Sequence, residues 1–383
     1  MEKDRGLPFR ESKKASLPRI AFISTNLKTT HEKEEKMKKL FFFAALFGLV
    51  FMLGCAGELV YVKDAKLFKV ADDGSNNVAI TVQPVPATGD YYHHPDVNHK
   101  GDMVAFVSNT YEGITMGSIW TMKIDGTSPK QITRLEPPPA PPTDFYPKWF
   151  PDNRPSIAYW GKCADDTFAI CTISTDLGGG PARGVKICDT NVFDSSGFDF
   201  IQSPSGPLRI IYSHKPALNQ PRRLYQRNFE VVPTCSGSPT EINPFLPPGV
   251  APDDLAEAHP AISFAQGMIA SAVEWPPNVV GIRIRGVDQY GTIGAPLTFQ
   301  FQGFERIMYI SFADNDKGIY FSAIPTGGDS KLYYVSLSGF LQAIRDWITN
   351  PPASLPFPPP VVTPQPIDVG AGKSSHPSGV KNP

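Results

Sequence analysis

Tyr92-His93-His94-Pro95, the turn Asn98-His99-Lys100-Gly101, the run Met103-Val104-Ala105-Phe106-Val107-Ser108, the run Ile119-Trp120-Thr121-Met122-Lys123-Ile124-Asp125-Gly126 and the triplet Gln131-Ile132-Thr133 follow one another within residues 92–133. Short apolar runs bounded by Asn, Asp and Gly read as strands joined by turns, here in the order strand, turn, strand, loop, strand, turn, strand. A second copy opens at Phe145-Tyr146-Pro147 and continues through Ile157-Ala158-Tyr159-Trp160, Ala169-Ile170-Cys171-Thr172-Ile173 and Val185-Lys186-Ile187-Cys188. Looser copies centre on Arg209-Ile210-Ile211-Tyr212-Ser213, on His259-Pro260-Ala261-Ile262-Ser263 with Met268-Ile269-Ala270, and on Ile319-Tyr320-Phe321-Ser322.

Equivalent second strands fall at Val104, Ile157, Ile210, Ile269 and Ile319, at steps of 53, 53, 59 and 50 residues. Four strands in about 50 residues make one blade of a β-propeller. A partial copy at Leu59-Val60-Tyr61-Val62, Leu67 to Gly74 and Val78-Ala79-Ile80-Thr81 lacks its first strand and makes a sixth blade. The expected fold is therefore all-β, a six-bladed propeller of four-stranded antiparallel blades. The ring closes if the other end of the chain supplies the missing strand, which removes an open sheet edge; Val361-Val362-Thr363 is the candidate. Runs such as Met103 to Val107 are continuously apolar because the middle strands of a blade are covered on both faces.

Composition agrees. The chain has 383 residues, 40 of them proline and 32 glycine, and only 19% are charged, which favours short strands and turns over long surface helices. Residues 1–54 carry 11 basic against 6 acidic side chains, so the remainder is mildly acidic at −6. No basic stripe is available to displace counterions from phosphate, and a nucleic-acid partner is set aside.

From Met37 the sequence reads MKKLFFFAALFGLVFMLGCAG. Two lysines, an apolar run from Leu40 to Leu53 and small Gly54 before Cys55 make a secretory signal peptide over 37–54. The run is short for a membrane span and no basic stop-transfer cluster follows it. The segment resembles a bacterial lipobox. That resemblance implies cleavage before Cys55, lipidation of its thiol and anchoring of the membrane-bound protein, with Ala56 rather than Asp next to it pointing to the outer membrane, facing the periplasm. Met37 is read as the start, and residues 1–36 as an upstream extension outside the fold.

Cys163, Cys171, Cys188 and Cys235 are even in number in an exporting context, which favours disulfides over free thiols. Three connectivities exist. Cys163 and Cys171 flank the segment 164–167 and face each other if it is a hairpin, which leaves Cys188 for Cys235. No CxxC pair is present, and spacings of 8, 17 and 47 residues match no zinc pattern.

The unit from Pro95 to Gly126, and without its glycine from Pro147 to Tyr159, resembles the TolB propeller repeat, over roughly 58–340. The propeller domain is assigned to 55–345. TolB carries an α/β domain before its propeller, for which there is no room between Cys55 and Glu58. The resemblance implies a stand-alone envelope propeller that binds proteins or peptides, and it transfers no catalytic motif.

His94 and His259 occupy the same position before Pro in separate blades, with His93, Asp96 and Glu257 nearby; a metal bridging them is weighed against a packing role, since Tyr146 fills the next equivalent place. Asp314-Asn315-Asp316-Lys317-Gly318 starts like a calcium loop but has no Glu at the required spacing and falls where a hairpin turn is due. No GxSxG is present. A glycosidase carboxylate pair is set by distance, not by spacing. Tyr91, Tyr111, Arg222, Arg223 and Trp275 are residue types that anchor interfaces when exposed. The tail 346–383, with 10 prolines in its last 33 residues, reads as extended or disordered, and Pro137 to Pro142 as a stiff loop. The expectation is a lipid-anchored binding scaffold with no cofactor and no assigned catalytic residue. The alternative is a propeller hydrolase or lyase acting on glycans or peptides, metal-assisted through His94 and His259.

Overall fold

A computed structural model describes residues 57–380 apart from 72, 84–90, 110–116, 135–143, 177, 179, 189–196, 218, 230–234, 247–248, 278, 314–315, 351–360 and 368. The signal segment 37–54, Cys55, Tyr111 and the Pro137 to Pro142 loop lie outside the described residues.

Six four-stranded antiparallel sheets form a ring, so the chain is a six-bladed β-propeller. Blade 2 is β4 (Tyr91–Val97), β5 (Met103–Asn109), β6 (Ser118–Lys123) and β7 (Lys130–Gln131). Blade 3 is β8 (Asp144–Trp149), β9 (Ser156–Lys162), β10 (Phe168–Ser174) and β11 (Val185–Cys188); blade 4 is β12 (Phe198–Gln202), β13 (Leu208–His214), β14 (Arg223–Phe229) and β15 (Cys235–Glu241). Blade 5 is β16 (Ala256–Ile262), β17 (Met268–Trp275), β18 (Val279–Gly286) and β19 (Leu297–Phe301). Blade 6 is β20 (Phe304–Phe312), β21 (Gly318–Pro325), β22 (Lys331–Ser336) and β23 (Gln365–Pro366).

Blade 1 holds β1 (Glu58–Lys63), β2 (Lys66–Ala71) and β3 (Val78–Ala79), and its fourth strand is β24 (Ser374–Val380), paired antiparallel with β1 from Glu58↔Val380 to Lys63↔Ser374. The C-terminal segment thus closes the ring, but not through Val361 to Thr363. Val361 makes one parallel bridge to Gln300, and Gln365–Pro366 forms the outer strand of blade 6. The expected extended tail is strand at both places. Helix α1 (Leu341–Thr349), absent from the sequence reading, lays Ile344 on blade 5, where Gly286 and Gly294 leave room for its backbone.

The middle strands explain the continuous apolar runs. Val104 and Phe106 face the blade 1 side in one cluster with Val60 and Leu67, whereas Ala105 and Val107 face blade 3 with Ile157 and Tyr159. Both faces are therefore buried, each large side chain contributing about 1.5–3 kcal/mol by leaving water. The Asp-Gly turn is equally specific: Asp125 Oδ1 accepts from Thr127 N at 2.9 Å, while Gly126 has φ +88° and a Cβ there would stand 2.4 Å from Thr81 O.

Cys163–Cys171 bridges the β9–β10 hairpin and Cys188–Cys235 joins blades 3 and 4. Two side chains read as exposed anchors are interior instead. Trp275 is 5% exposed, and Arg223, 7% exposed, pairs with Glu241 at 3.5 Å. Asp316 accepts backbone N–H groups of Phe264 (2.7 Å) and Ala265 (2.8 Å), tying blade 6 to blade 5 in a turn-like role.

Candidate functional site

The innermost strand of five blades carries a β-bulge at one position. Pairing skips between Tyr92-His93 and Asp96, between Phe145 and Lys148, between Ala258 and Ala261, between Met308 and Ile310, and between Val60 and Val62 opposite β24. A bulge leaves a residue unpaired and re-aims its side chain. The residues so released are His94, Tyr146, His259, Tyr309 and His376, with φ of 48°, 53°, 51°, 47° and 53°; Gly197 holds the sixth place at 89°. Left-handed backbone at a bulky residue costs roughly 1–2 kcal/mol. Five such residues in register are a built feature. Proline follows four of them, and having no N–H it leaves no donor stranded at the bulge. That is the physical content of the His/aromatic-Pro repeat.

The six residues converge on the channel axis. Ring centroids lie 3.6 Å apart for Tyr309 and His376, 4.2 Å for His94 and His376, 4.4 Å for His94 and Tyr146, and 5.1 Å for His259 and Tyr309. Partly exposed, they line an open-mouthed cavity of about 60 Å³. Burial, with His93, His259 and Lys148 beside it, holds His94 well below the ordinary histidine range. Burial together with His94, His93 and His259 does the same to His376. Burial, with Arg222 and Arg306, brings His259 to about 3. Burial also pushes the Tyr146 and Tyr309 hydroxyls up. The ring is thus neutral at physiological pH. Both ring nitrogens of His94 and Nε2 of His376 are buried with no hydrogen-bond partner.

Two residues along the inner strand of four blades, a second layer latches neighbouring blades. Ser378 Oγ accepts from Val97 N (2.9 Å), Asp96 Oδ2 from Trp149 N (2.9 Å), Asp199 Oδ2 from Ile262 N (2.9 Å), and Ser311 Oγ from Gly379 N (2.9 Å). Lys148, the equivalent residue of blade 3, cannot accept; its Nζ donates to Asp96 Oδ1 at 2.8 Å and stands 3.9 Å from Asp199. Burial opposes its charge, but Asp199 and Asp96 hold the ammonium above its ordinary range. Burial raises Asp199 against the pull of Lys148.

His94 and His259 do come into one ring, each beside Tyr309 at 5.6 Å and 5.1 Å. Among the described residues no three His, Cys, Asp or Glu side chains converge as a metal site. Asp96 belongs to the Lys148 pair, and Glu257 lies off the axis in a buried network with Arg285, Arg283 and Ser271. Sequence reasoning missed His376, Tyr309 and Lys148. His376-Pro377 repeats the dipeptide of His94-Pro95 and His259-Pro260, a signal masked by the proline-rich tail; Tyr309 lacks the proline.

No protein-family model matches the chain, and no curated protein does. Solved structures do. TolB from Acinetobacter baumannii is 12% identical over 86% of this chain and 67% of its own, with a TM-score of 0.53. A protein described as TolB from Agrobacterium tumefaciens is 13% identical over 73% of this chain and 86% of its own, with a TM-score of 0.45. The Niastella koreensis GH74 enzyme is 11% identical over 75% of this chain and 43% of its own, also at 0.45. At such identities the likeness concerns the fold. The chain is a TolB-like six-bladed β-propeller.

Proposed function

We propose that this protein is an exported envelope component, anchored through lipid on Cys55, whose propeller binds a protein or peptide partner as a scaffold and not as a catalyst. The observation that carries the reading is the narrowed axis. Five bulge side chains meet there around a cavity of only about 60 Å³. The axis is narrowed by the protein's own neutral aromatic and imidazole groups, each partly exposed, which leaves little room for a substrate among them and favours recognition on the outer faces of the blades. The lipobox at Gly54-Cys55-Ala56 supplies the anchoring half of the proposal.

The test is intact mass and cross-linking of the protein extracted with detergent from its native membrane. A mass starting at acylated Cys55, and one protein cross-linked in stoichiometric yield, is the expected result. A mass retaining residues 1–54 overturns the anchor. A second reading, a hydrolase or lyase assisted by a metal at His94 and His259, is favoured by the unpartnered nitrogens of His94. Stoichiometric metal, lost in His94→Asn with His259→Asn, would replace the scaffold with that reading.

A further inference from the structure

A concavity lies away from the axis, between blades 5 and 6, where β17 ends and β20 begins. Its volume is about 560 Å³, within the usual range for ligand clefts. Its floor is apolar: Trp275 and Val280 are 5% and 3% exposed, and Phe304 is half-buried. Its polar lining has one sign, from Asp254, Glu274 and Glu305. Asp254 and Glu305 are exposed, and Glu305 Oε1 accepts from Gly327 N at 2.9 Å, which fixes that carboxylate at the rim. Glu274 is half-buried beside Trp275, and the Nε of exposed Arg306 stands 3.9 Å from its Oε1, at the limit of an ion pair. Burial pushes the Glu274 carboxyl up in spite of Arg306 and Arg222. A half-exposed carboxylate paired only at long range gains from a closer cation.

Resting on the scaffold reading above, we propose that this groove is the docking surface and that its occupant is a cationic peptide segment of the partner. An Arg or Lys side chain would lay its aliphatic stem along Trp275 and Phe304 and place its charge between Glu274 and Glu305. The amphipathic build of those side chains, an apolar stem with a charged head, matches an apolar floor under an acidic rim. Three lining carboxylates against two nearby guanidinium groups, Arg306 and Arg222, leave a net negative charge for the partner to meet.

The full-length protein in detergent is titrated, by fluorescence anisotropy, with a library of short peptides containing Lys and Arg, and with the same library carrying Gln at each cation. The cationic library should bind at least about tenfold more tightly, and added salt should weaken it. Glu274→Gln with Glu305→Gln should lower that affinity about tenfold, while Asp102→Asn on blade 2 leaves it unchanged. Exposed Glu305→Gln alone keeps the test valid if the double variant folds poorly, with a smaller loss expected. Equal binding of both libraries, an unaltered affinity in the Glu305 variant, or a preference for neutral oligosaccharides overturns the groove. A partner cross-linked elsewhere and indifferent to these substitutions removes the groove and leaves the scaffold. Cleavage of bound peptides removes the scaffold and leaves the groove.

Discussion

Acidification should loosen this propeller at its axis before its carboxylates titrate. His94, His259 and His376 are held neutral in the folded state, His259 at about 3 and the other two well below the ordinary value, each chiefly by burial. An unfolded histidine titrates near 6.5. A depressed folded pKa contributes stability that is fully present above the unfolded value and is lost as pH falls from there towards the folded one. At pH 5 the unfolded chain gains about 2 kcal/mol per histidine by binding protons that the folded ring refuses. Three such residues set a ceiling of about 6 kcal/mol, against a total stability of about 5–15 kcal/mol for a typical domain. Exposed Asp and Glu, unfolded near 4, are still mostly ionised at pH 5. The assay is urea unfolding at pH 7 and pH 5 for the parent and for His376→Asn, an exchange that retains tolerance of the left-handed backbone. The parent should lose stability between the two pH values, by no more than about 6 kcal/mol from the ring, and the variant should lose about 2 kcal/mol less at that ceiling. His214, also lowered by burial, contributes equally to both proteins and cancels in the difference. Equal stability at the two pH values, or the same loss in both proteins, would refute the neutral ring.

Glu257 is 1% exposed and compensates Arg285 and Arg283, both 0% exposed; Glu257→Gln should cost about 3–5 kcal/mol in a denaturant midpoint experiment, and Glu257→Leu with Arg285→Met should cost less than either change alone. Loop closure gives the two disulfides different weights: with separations of 8 and 47 residues, replacing Cys163 and Cys171 by Ala should cost about 2.5 kcal/mol, and replacing Cys188 and Cys235 about 4 kcal/mol. Chemical unfolding of the two variants under non-reducing conditions reads that order, and a reversed order contradicts it. Ending the chain before Ser374 should expose the β1 edge, remove Ser378 and His376, and produce association measurable by light scattering; a monomer with parental melting would contradict closure by β24.

The sequence carried the architecture because a propeller is local in chain order. Each blade is a meander of neighbouring strands, so alternation, turn residues and a step near 50 residues report it without knowledge of any distant contact. The hairpin disulfide was legible for the same reason, and the second followed once the first was paired. His94 and His259 were singled out because the bulge leaves a dipeptide trace, an aromatic or imidazole side chain before proline.

What the sequence could not settle depends on which residues meet across the ring. The closing strand pairs residues more than 300 positions apart, and the proline-rich composition around it points to an extended tail while saying nothing about what it lies against. Local patterning also hid the ring partner at Tyr309, because it lacks proline, and the Asp96–Lys148–Asp199 bridge, whose members stand 52 and 51 residues apart. Trp275 and Arg223 look like surface anchors in isolation, but burial is a property of the neighbouring blade. The acidic groove likewise draws its walls from two blades, Glu274 from one and Glu305 from the next. Sequence by itself determined the blade, its number and its turns, since these are set by short-range pattern. Only tertiary structure decided the closure, the composition of the axis and the shape of the outer surface, since these are set by proximity between segments far apart in the chain.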